Sequence, residues 1–192
     1  MTMADRLLEA MTGAAARRYG AESVSELEHA LQCAELASAA GADDELVLAC
    51  LLHDVGRYAI AQTLLSDSVH PTEEPSSGTR RRGHHELGAE LLRPWVPERV
   101  AWCIAAHADA KRYLCATEPE YHDMLSPGSK RTLLMQGGVM SADEVHRFAA
   151  HSWVSEAIAL RRWDDQAKVP GRVTRSLEDW TPLLQRYFGR PA

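Results

Sequence analysis

The sequence lacks any apolar run that could cross a membrane, since none approaches the roughly 20 residues that a spanning helix needs. Its first residues, MTMADRLLEAM, include Asp5 and Glu9 and contain no uninterrupted apolar block. This pattern predicts a short amphipathic helix rather than a signal peptide. We therefore expect a cytoplasmic protein without a membrane partner.

Paired cysteines and an excess of positive charge are missing as well. Cys33, Cys50, Cys103 and Cys115 are widely separated and form no CxxC motif, so we expect buried free thiols. The formal net charge of −6 argues against a nonspecific nucleic-acid partner, but it leaves room for a local basic pocket. The expected partner is therefore a small molecule.

Sustained period-two alternation, which is typical of β-strands, is absent, and so is any internal repeat. Apolar residues recur instead at helical spacing. A chain of 192 residues suits one domain and buries roughly 70% of its unfolded surface, so no second core is needed. The sequence predicts an all-α fold in a single domain over residues 1–192.

Two helices are marked by their capping residues. Ser25 and Glu28 have the spacing of a capping box at the start of SELEHALQCAELASAA. The next helix is expected to begin near Asp43 or Asp44 as N-cap, to run through the apolar ELVLACLLHDV and to end at Gly56. An adjacent histidine and aspartate then fall in its last turn.

Two long irregular segments separate the remaining helical patterns. The first, residues 66–83, is polar and bears Pro, Ser and Gly, which makes it a candidate lid. The second spans 116–139 and leads into a helix whose start is marked by Ser141 and Glu144. The tail from Val169 is expected to pack as a loop with one short helix. The other helical stretches are HELGAELL, PERVAWCIAAHADAKRYL and SWVSEAIALRRWDDQAK.

The aspartate of the apolar helix indicates a binding site. Burying the ionised carboxylate of Asp54 without a partner costs several kcal/mol, so it must be hydrogen-bonded, ion-paired or bound to a metal. A metal fits best, because further histidines and a second carboxylate also lie on helices or at helix ends. His85, next to His84, is an alternative to it as a ligand. The candidate ligands are His29, His53, Asp54, His84, His107 and Asp164.

A site of imidazoles and carboxylates suits iron, manganese or zinc better than magnesium, which prefers oxygen ligands and water. Six protein ligands are too many for one catalytic ion, since such an ion must keep open positions. Two ions bridged by the carboxylate of Asp54 would use all six. The residues therefore predict a dinuclear metal centre.

Three further pairs have helical spacing beside the candidate ligands: Tyr19 with Glu22, His107 with Lys111, and Asp164 with Lys168. Lys111 could meet an anion bound at the metal, and a solvated lysine explains it equally well. For Lys168, an ion pair with Asp164 or Asp165 is the simpler explanation. On residue pattern alone, the first pair reads as part of a surface helix.

Several short motifs accompany the candidate ligands: LEHALQCA, LLHDVG, HxxxGA, AKRYLC, PEYH, QGG and LRRWD. Together they resemble the HD-domain superfamily, and more narrowly its mixed-valent di-iron oxygenases of the PhnZ and TmpB phosphonate oxygenase type. The resemblance extends from about Tyr19 to Lys168, and myo-inositol oxygenase looks like a distant relative. It implies an HD-domain helical bundle.

The resemblance also implies roles for the residues at the metal centre. It implies two iron ions held by the six candidate ligands, with Asp54 as the bridge. His84 is favoured over His85, because it stands four residues before the glycine of HxxxGA. Tyr19 would cap one iron until substrate displaces it, and Glu22 would face the cationic amino end of the substrate.

For the phosphonate end of the substrate, the resemblance implies Lys111 as the main binding residue. Ser129 is a weaker candidate for the same role, and Lys168 and Arg57 are further candidates. Arg57 marks a departure from the family pattern, which often reads HDxGH, because here the fifth position is an arginine.

The implied activity is O2-dependent cleavage of the C–P bond in a 1-hydroxy-2-aminoethylphosphonate or an N-methylated version. Phosphate and glycine, or an N-methylated glycine such as glycine betaine, would leave. An upstream 2-oxoglutarate-dependent hydroxylase would supply the substrate through metabolism rather than by binding. Two alternatives stay open: a metal-dependent HD phosphohydrolase acting on a small phosphate ester, and a non-catalytic protein that senses a small anion.

Overall fold

The computed structural model describes residues 1–58, 60–61 and 82–190. Within these residues every regular element is a helix, and the only β-type pairing is an isolated bridge between Arg18 and Ser25. In the same part of the chain, no helix combines the length and the apolar character needed to cross a membrane. The predicted all-α fold is confirmed.

Helices of unequal length follow one another along the described chain, and two short 3-10 turns, Val55–Arg57 and Glu178–Trp180, interrupt them. In chain order the α-helices are α1 (Met3–Ala14), α2 (Glu26–Ala39), α3 (Asp44–Leu52), α4 (His84–Leu92), α5 (Glu98–Thr117), α6 (Tyr121–Met124), α7 (Pro127–Met135), α8 (Ala142–Ala149), α9 (Val154–Gln166) and α10 (Thr181–Phe188).

The predicted capping residues start these helices. At α2, the Ser25 hydroxyl accepts a hydrogen bond from the backbone N–H of Glu28, whose carboxylate accepts one from the backbone N–H of Ser25. Ser141 and Glu144 form the same box at α8, and Asp43 caps α3. Because each cap satisfies backbone N–H groups that a helix start leaves unpaired, these helices begin where the sequence predicts.

The prediction of a second irregular segment over 116–139 is wrong in its middle, where α6 and α7 form. The Ser126 hydroxyl accepts a hydrogen bond from the backbone N–H of Ser129 at 3.2 Å, and Pro127 occupies the first turn of α7. Apolar side chains of this region then pack against the end of α5. The candidate lid lies outside the described residues from 66 to 81.

The longest described helix, α5, organises the packing. It lies against α3, α4 and α9, and α2 in turn packs against α3 and α9. One apolar core fills the space between these helices, and it includes the buried free thiols of Cys33, Cys50 and Cys103. Cys115 is only half-buried. Because each of these five helices carries or adjoins a candidate ligand, their packing brings the ligands together.

The His-Asp pair lies just after α3 rather than inside it. The α-helix ends at Leu52, His53 is its C-cap, and the 3-10 turn Val55–Arg57 follows. The prediction that one α-helix runs to Gly56 is therefore wrong by about one turn. The physical reason is that α4 packs directly on the backbone of this turn. An additional turn of α-helix at this point would displace α4.

Two glycines allow the turn and α4 to approach at backbone distance. A Cβ atom at Gly56 would lie 1.9 Å from the carbonyl oxygen of His84 and 2.7 Å from the backbone nitrogen of Gly88. A Cβ atom at Gly88 would lie 3.1 Å from the backbone nitrogen of Gly56. This contact sets the distance between the His-Asp pair and His84.

Gly56→Ala is expected to destabilise the protein by about 2 to 3 kcal/mol, because the added methyl group must push α4 away from the turn. In thermal unfolding followed by circular dichroism, Tm should fall by roughly 5 to 10 °C. The control is Gly13→Ala in α1, where the nearest atom to an added Cβ lies 3.7 Å away. There alanine should stabilise by about 0.5 to 1 kcal/mol. An unchanged Tm for Gly56→Ala would contradict the close contact.

Candidate metal centre

Six side chains converge in two groups of three, and the donor atoms within each group lie within 4.8 Å of one another. The first group, which we call the α9 group, consists of His29, His53 and Asp164, and the second, which we call the α4 group, consists of Asp54, His84 and His107. All of them are buried except His84, which is partly exposed. These are the six residues for which the resemblance predicts metal binding.

Backbone carbonyls fix the orientation of three of the imidazoles. A carbonyl oxygen only accepts, so each Nδ1 carries the proton and donates it. The lone pair of each Nε2 is then free to bind a metal. The three pairs are His29 with Ala167 at 2.8 Å, His53 with Cys50 at 2.8 Å, and His107 with Ile104 at 2.7 Å.

The remaining buried polar atoms fit positive ions. The Nε2 atoms of His29 and His53 are 3.1 Å apart, so with both protons on Nδ1 two lone pairs face each other. In the described structure, both oxygens of Asp54 and Oδ1 of Asp164 are buried and make no hydrogen bond. Arg57 is ion-paired with Oδ1 of Asp54, but several donor atoms of the two groups still face one another without a proton between them. Incompletely compensated buried groups of this kind cost several kcal/mol, and a cation between them removes that cost. The donor set therefore fits metal ions.

The carboxylate of Asp54 lies between the two groups. Its Oδ1 is 2.9 Å from Nε2 of His84 in the α4 group. Its Oδ2 is 3.6 Å from Nε2 of His53 and 3.9 Å from Nε2 of His29 in the α9 group. One oxygen thus faces each group, which is the arrangement that a bridging carboxylate needs.

The pKa values follow from burial and from these charges. Burial, joined by the charge of His53, lowers the pKa of His107 well below its usual value. Burial would raise the pKa of Asp54, but Arg57 and His84 outweigh it and hold that pKa well below the usual range. For His53 the effect of burial is exceeded by the charge of Asp54 and other neighbours, and the pKa rises to about 10. The ionised carboxylates thus draw positive charge to His53, and a metal ion can supply it in place of a proton.

His84 and His85 differ in position. His84 belongs to the α4 group, whereas His85 belongs to neither. The ring of His85 lies 5.9 Å from that of His107, and its side chain borders a groove between α5 and α8. The geometry therefore favours His84 as the ligand, in agreement with the resemblance.

Tyr19 and Glu22 do not share a helix face, so the interpretation as a surface helix is wrong. They lie in the loop between α1 and α2, because Gly20 adopts a left-handed φ of 56° and turns the chain. The ring of Tyr19 stacks on that of His29, with 3.8 Å between centroids and 15° between planes. Burial and the charge of Asp54 raise the pKa of Tyr19 well above its usual value.

A cleft of about 90 Å³ opens beside the metal-donor groups. Tyr19 and Glu22 line it from the loop between α1 and α2, and Lys111, Ser129 and Arg161 line the part that we call the cationic wall. Drug-sized ligands need cavities of roughly 300 to 1,000 Å³. The cleft therefore suits a small molecule of a few heavy atoms.

Lys111 is buried, so its interpretation as a solvated lysine is wrong. Its ammonium group donates a hydrogen bond to Oγ1 of Thr132 at 2.8 Å and points to the backbone carbonyl of Ser129 at 3.4 Å. Burial, followed by the repulsion of Arg161, lowers the pKa of Lys111 to about 7. Its spacing from His107 on α5 does place it at the metal centre, as predicted.

Lys168 lies beyond the end of α9, which closes at Gln166. Its Nζ is 3.5 Å from a carboxylate oxygen of both Asp164 and Asp165, so the predicted ion pair forms without the shared helix face. The same Nζ lies 3.4 Å from Oγ of Ser129. Lys168 therefore also contacts Ser129, which lines the cleft.

Arg161 belongs to the same cationic wall, although we made no prediction for it from the sequence. Its Nη1 donates to Oδ2 of Asp164 at 2.5 Å, and its Nε donates to the hydroxyl of Tyr121 at 3.0 Å. Its Nη2 lies 3.4 Å from Oγ of Ser129. The signal that could have identified it is spacing, because Arg161 precedes Asp164 by three residues on one helix. It orients a candidate ligand and adds positive charge to the wall.

Arg57 also lines the cleft. Its Nε is 3.0 Å from Oδ1 of Asp54, and its guanidinium carbon is 5.3 Å from the centre of the Tyr19 ring. Its Nη2 is 3.5 Å from Nε2 of His84. Arg57 therefore forms an ion pair with Asp54, the predicted bridging carboxylate. It also packs on the ring of Tyr19, for which the resemblance implies a role as a cap on one metal ion.

Comparison with known proteins gives the family. Residues 27–147 match the HD domain family, a range that contains five of the six candidate ligands and excludes Tyr19, Glu22 and Asp164. The family match therefore says nothing about Tyr19, Glu22 and Asp164. Relatives that match a longer part of the chain are needed for those residues.

Three relatives cover most of the chain. The [1-hydroxy-2-(trimethylamino)ethyl]phosphonate dioxygenase (glycine-betaine-forming) of Leisingera caerulea is 36% identical over 168 residues, which are 88% of this chain and 81% of that protein. The hydroxymethylphosphonate dioxygenase of Gimesia maris is 37% identical over 159 residues, 83% of this chain and 75% of that protein. Uncharacterized protein L432 of Acanthamoeba polyphaga mimivirus is 32% identical over 172 residues, 88% and 74% of the two chains. The chain therefore belongs to the HD-domain oxygenase family that contains these phosphonate dioxygenases, and it is an oxygenase.

Proposed function

We propose that this oxygenase uses O2 to cleave the C–P bond of a 1-hydroxy-2-(amino or N-methylated amino)ethylphosphonate. The products are phosphate and glycine, or an N-methylated glycine such as glycine betaine. One observation carries the proposal: a single small cleft joins the two metal-donor groups, a cationic wall and the carboxylate of Glu22. The kinship with two phosphonate dioxygenases supports the reaction class.

In this proposal the two donor groups would hold two iron ions in a mixed Fe(II)/Fe(III) state, and the carboxylate of Asp54, which faces both groups, would serve as the bridge. Four imidazoles and two carboxylates are ligands that iron accepts, and three protein ligands for each ion leave positions for substrate and O2. When bound, the iron pair supplies the activation of O2. The protein's own task is to hold the hydroxyl-bearing carbon of the substrate toward the metal side.

The cationic wall holds the phosphonate group. Lys111 offers an ammonium group, Arg161 a guanidinium group and Ser129 a hydroxyl to the same part of the cleft. The ammonium group of Lys168 lies 3.4 Å from Oγ of Ser129 and adds positive charge there. Hydrogen bonds from charged donors to phosphonate oxygens are short and strong. Arg57, which also lines the cleft, adds positive charge near the same anion.

Tyr19 and Glu22 line the cleft from the loop between α1 and α2. The stacking of Tyr19 on His29 supports a role in which Tyr19 would cover a metal held by the α9 group and would give way to substrate. Glu22 is half-buried, and its Oε1 would lie 3.3 Å from a Cβ atom at Gly128, so it closes the cleft from the side of α7. Its charge attracts the substrate ammonium group. Toward a trimethylammonium group it offers charge alone, because that group has no N–H donor.

The substrate already carries a hydroxyl group beside phosphorus, so another enzyme must introduce it. A 2-oxoglutarate-dependent hydroxylase acting on the aminoethylphosphonate has the required chemistry and is linked to this protein only through the shared metabolite. In this proposal the whole chain, residues 1–192, acts as one HD domain.

Iron loading under anaerobic conditions tests the proposed function. We expect an EPR signal from the mixed-valent pair that changes when 1-hydroxy-2-aminoethylphosphonate is added, and equal amounts of O2 consumed and phosphate released once oxygen is admitted. Asp54→Asn should lose the signal, because the bridging charge is removed. Hydrolysis of phosphate esters with manganese that does not depend on O2 would support a phosphohydrolase instead, and would refute the oxygenase proposal if no phosphonate were cleaved.

Glu22→Gln tests the recognition of the amino group, because it removes the charge and keeps the size. The kcat/KM for the aminated substrate is expected to fall roughly 10- to 100-fold. The kcat/KM for hydroxymethylphosphonate, which has no nitrogen, should change less than about threefold. Glu120→Gln, at an exposed position, is the control. Equal losses on both substrates would contradict the assigned role.

Lys111 gives phosphonate binding a pH dependence. Its protonated form binds the anion, and its pKa of about 7 reflects burial first and then Arg161, with Asp164, Asp165 and Lys168 as the other charged neighbours. Affinity for methylphosphonate, measured by calorimetry on the iron-loaded protein, is therefore expected to be full below pH 7 and to weaken up to about tenfold per unit above it. Ionisation of the ligand acts in the opposite direction, so it cannot mimic this decline.

The variant Lys111→Met should bind methylphosphonate about 10- to 100-fold more weakly at pH 6 and should show no decline above pH 7. A wild-type affinity that follows the same pH profile as that of Lys111→Met from pH 6 to pH 9 would show that the charge of Lys111 is not used.

A further inference from the structure

A three-residue strap, residues 167–169, connects the metal-donor groups with the cationic wall. It follows directly after α9, which carries Asp164. The carbonyl oxygen of Ala167 accepts the hydrogen bond from Nδ1 of His29, and the next side chain, Lys168, reaches Ser129 on the cleft wall. The position of this strap therefore affects both the orientation of His29 among the metal donors and the position of Lys168 beside the cleft.

The side chain of Gln32 clamps the far end of the strap. Its amide nitrogen donates to the carbonyl oxygen of Val169 at 2.8 Å, and its amide oxygen accepts from the backbone N–H of Val169 at 3.1 Å. Gln32 is only 1% exposed, so both bonds are shielded from water on its side. It thereby pairs with the backbone of one residue through both its donor and its acceptor.

Among the described residues, one further hydrogen bond reaches Val169, because its carbonyl oxygen also accepts from the backbone N–H of Arg172 at 3.3 Å. The helix that precedes the strap has ended, and Pro170, which follows, has no backbone N–H to donate. The Val169 side chain is 43% exposed and so adds little packing. The two hydrogen bonds of Gln32 therefore attach the Val169 end of the strap to α2, while the bond between His29 and Ala167 attaches the other end.

Gln32 and His29 are three residues apart on α2 and share its buried face. We propose that Gln32 is a positioning residue that holds the 167–169 strap so that Ala167 orients His29 for the metal while Lys168 reaches the substrate's anionic group. The part that concerns Lys168 rests on the proposed phosphonate-binding function. One side chain thus couples metal binding to anion binding without contacting either ligand.

Gln32→Met tests the clamp, because it keeps the length of the side chain and removes both polar groups. Hydrogen exchange at the backbone N–H of Val169 is expected to become at least about tenfold faster. Gln32→Glu retains the acceptor for that N–H and should give an intermediate rate. Gln166→Met, at an exposed position beside the strap, is the matched control and should exchange like the wild type.

Two binding measurements on the same variants test the coupling. Competition with a chelator is expected to show Fe(II) held about tenfold more weakly in Gln32→Met, since His29 loses its fixed acceptor. Methylphosphonate should bind the iron-loaded Gln32→Met protein about tenfold more weakly. Adding Lys168→Met to Gln32→Met should then weaken methylphosphonate binding by no more than about threefold, because the two substitutions remove one interaction.

The outcomes separate this inference from the proposed function. Losses in methylphosphonate affinity that multiply in the double variant would show that Gln32 and Lys168 act independently and would overturn the coupling. Unchanged exchange at Val169 in Gln32→Met would overturn the clamp itself. If the wild type binds no methylphosphonate while its exchange and Fe(II) affinity depend on Gln32 as expected, the proposed phosphonate function fails and the metal-positioning role of Gln32 stands.

Discussion

The site depends on one constraint: negative charge and lone pairs are concentrated in a part of the helical bundle that excludes water. Two imidazole nitrogens face each other at 3.1 Å, and the carboxylates of Asp54 and Asp164 are buried beside them. Such a set is stable only with positive charge close by. The donor groups offer sites for metal ions. Positive charge also comes from Arg57, which pairs with Asp54, and from Arg161, which pairs with Asp164.

The same helices carry both the metal donors and the side chains proposed to bind the substrate. The metal side uses helix ends and backbone carbonyls, which fix ring orientation without adding charge. The substrate side uses long cationic side chains whose buried stems lie against α5 and α9. Asp164 and Arg161 lie one turn apart on α9, so any shift of this helix moves a metal donor and an anion-binding group together.

The sequence revealed the metal side better than the substrate side. Asp54 in an apolar run and histidines at helical positions are local signals, and the structure brings those residues together. The burial of Lys111 depends on α7 packing over it, which no local pattern records. Tyr19 and Glu22 have helical spacing, yet Gly20 turns the chain between them, so their placement followed from the family resemblance and not from periodicity.

The contact between Gly56 and Gly88 has an evolutionary consequence. Because backbone meets backbone there, the position of His84 relative to the His-Asp pair is set by the contact itself and not by the length of chain that joins them. The length of chain between Ala61 and Arg82 can therefore change without altering this contact, whereas Tyr58 and Ala61 are buried in the core. Relatives of this oxygenase can differ in the length of the connection while the metal donors keep their spacing.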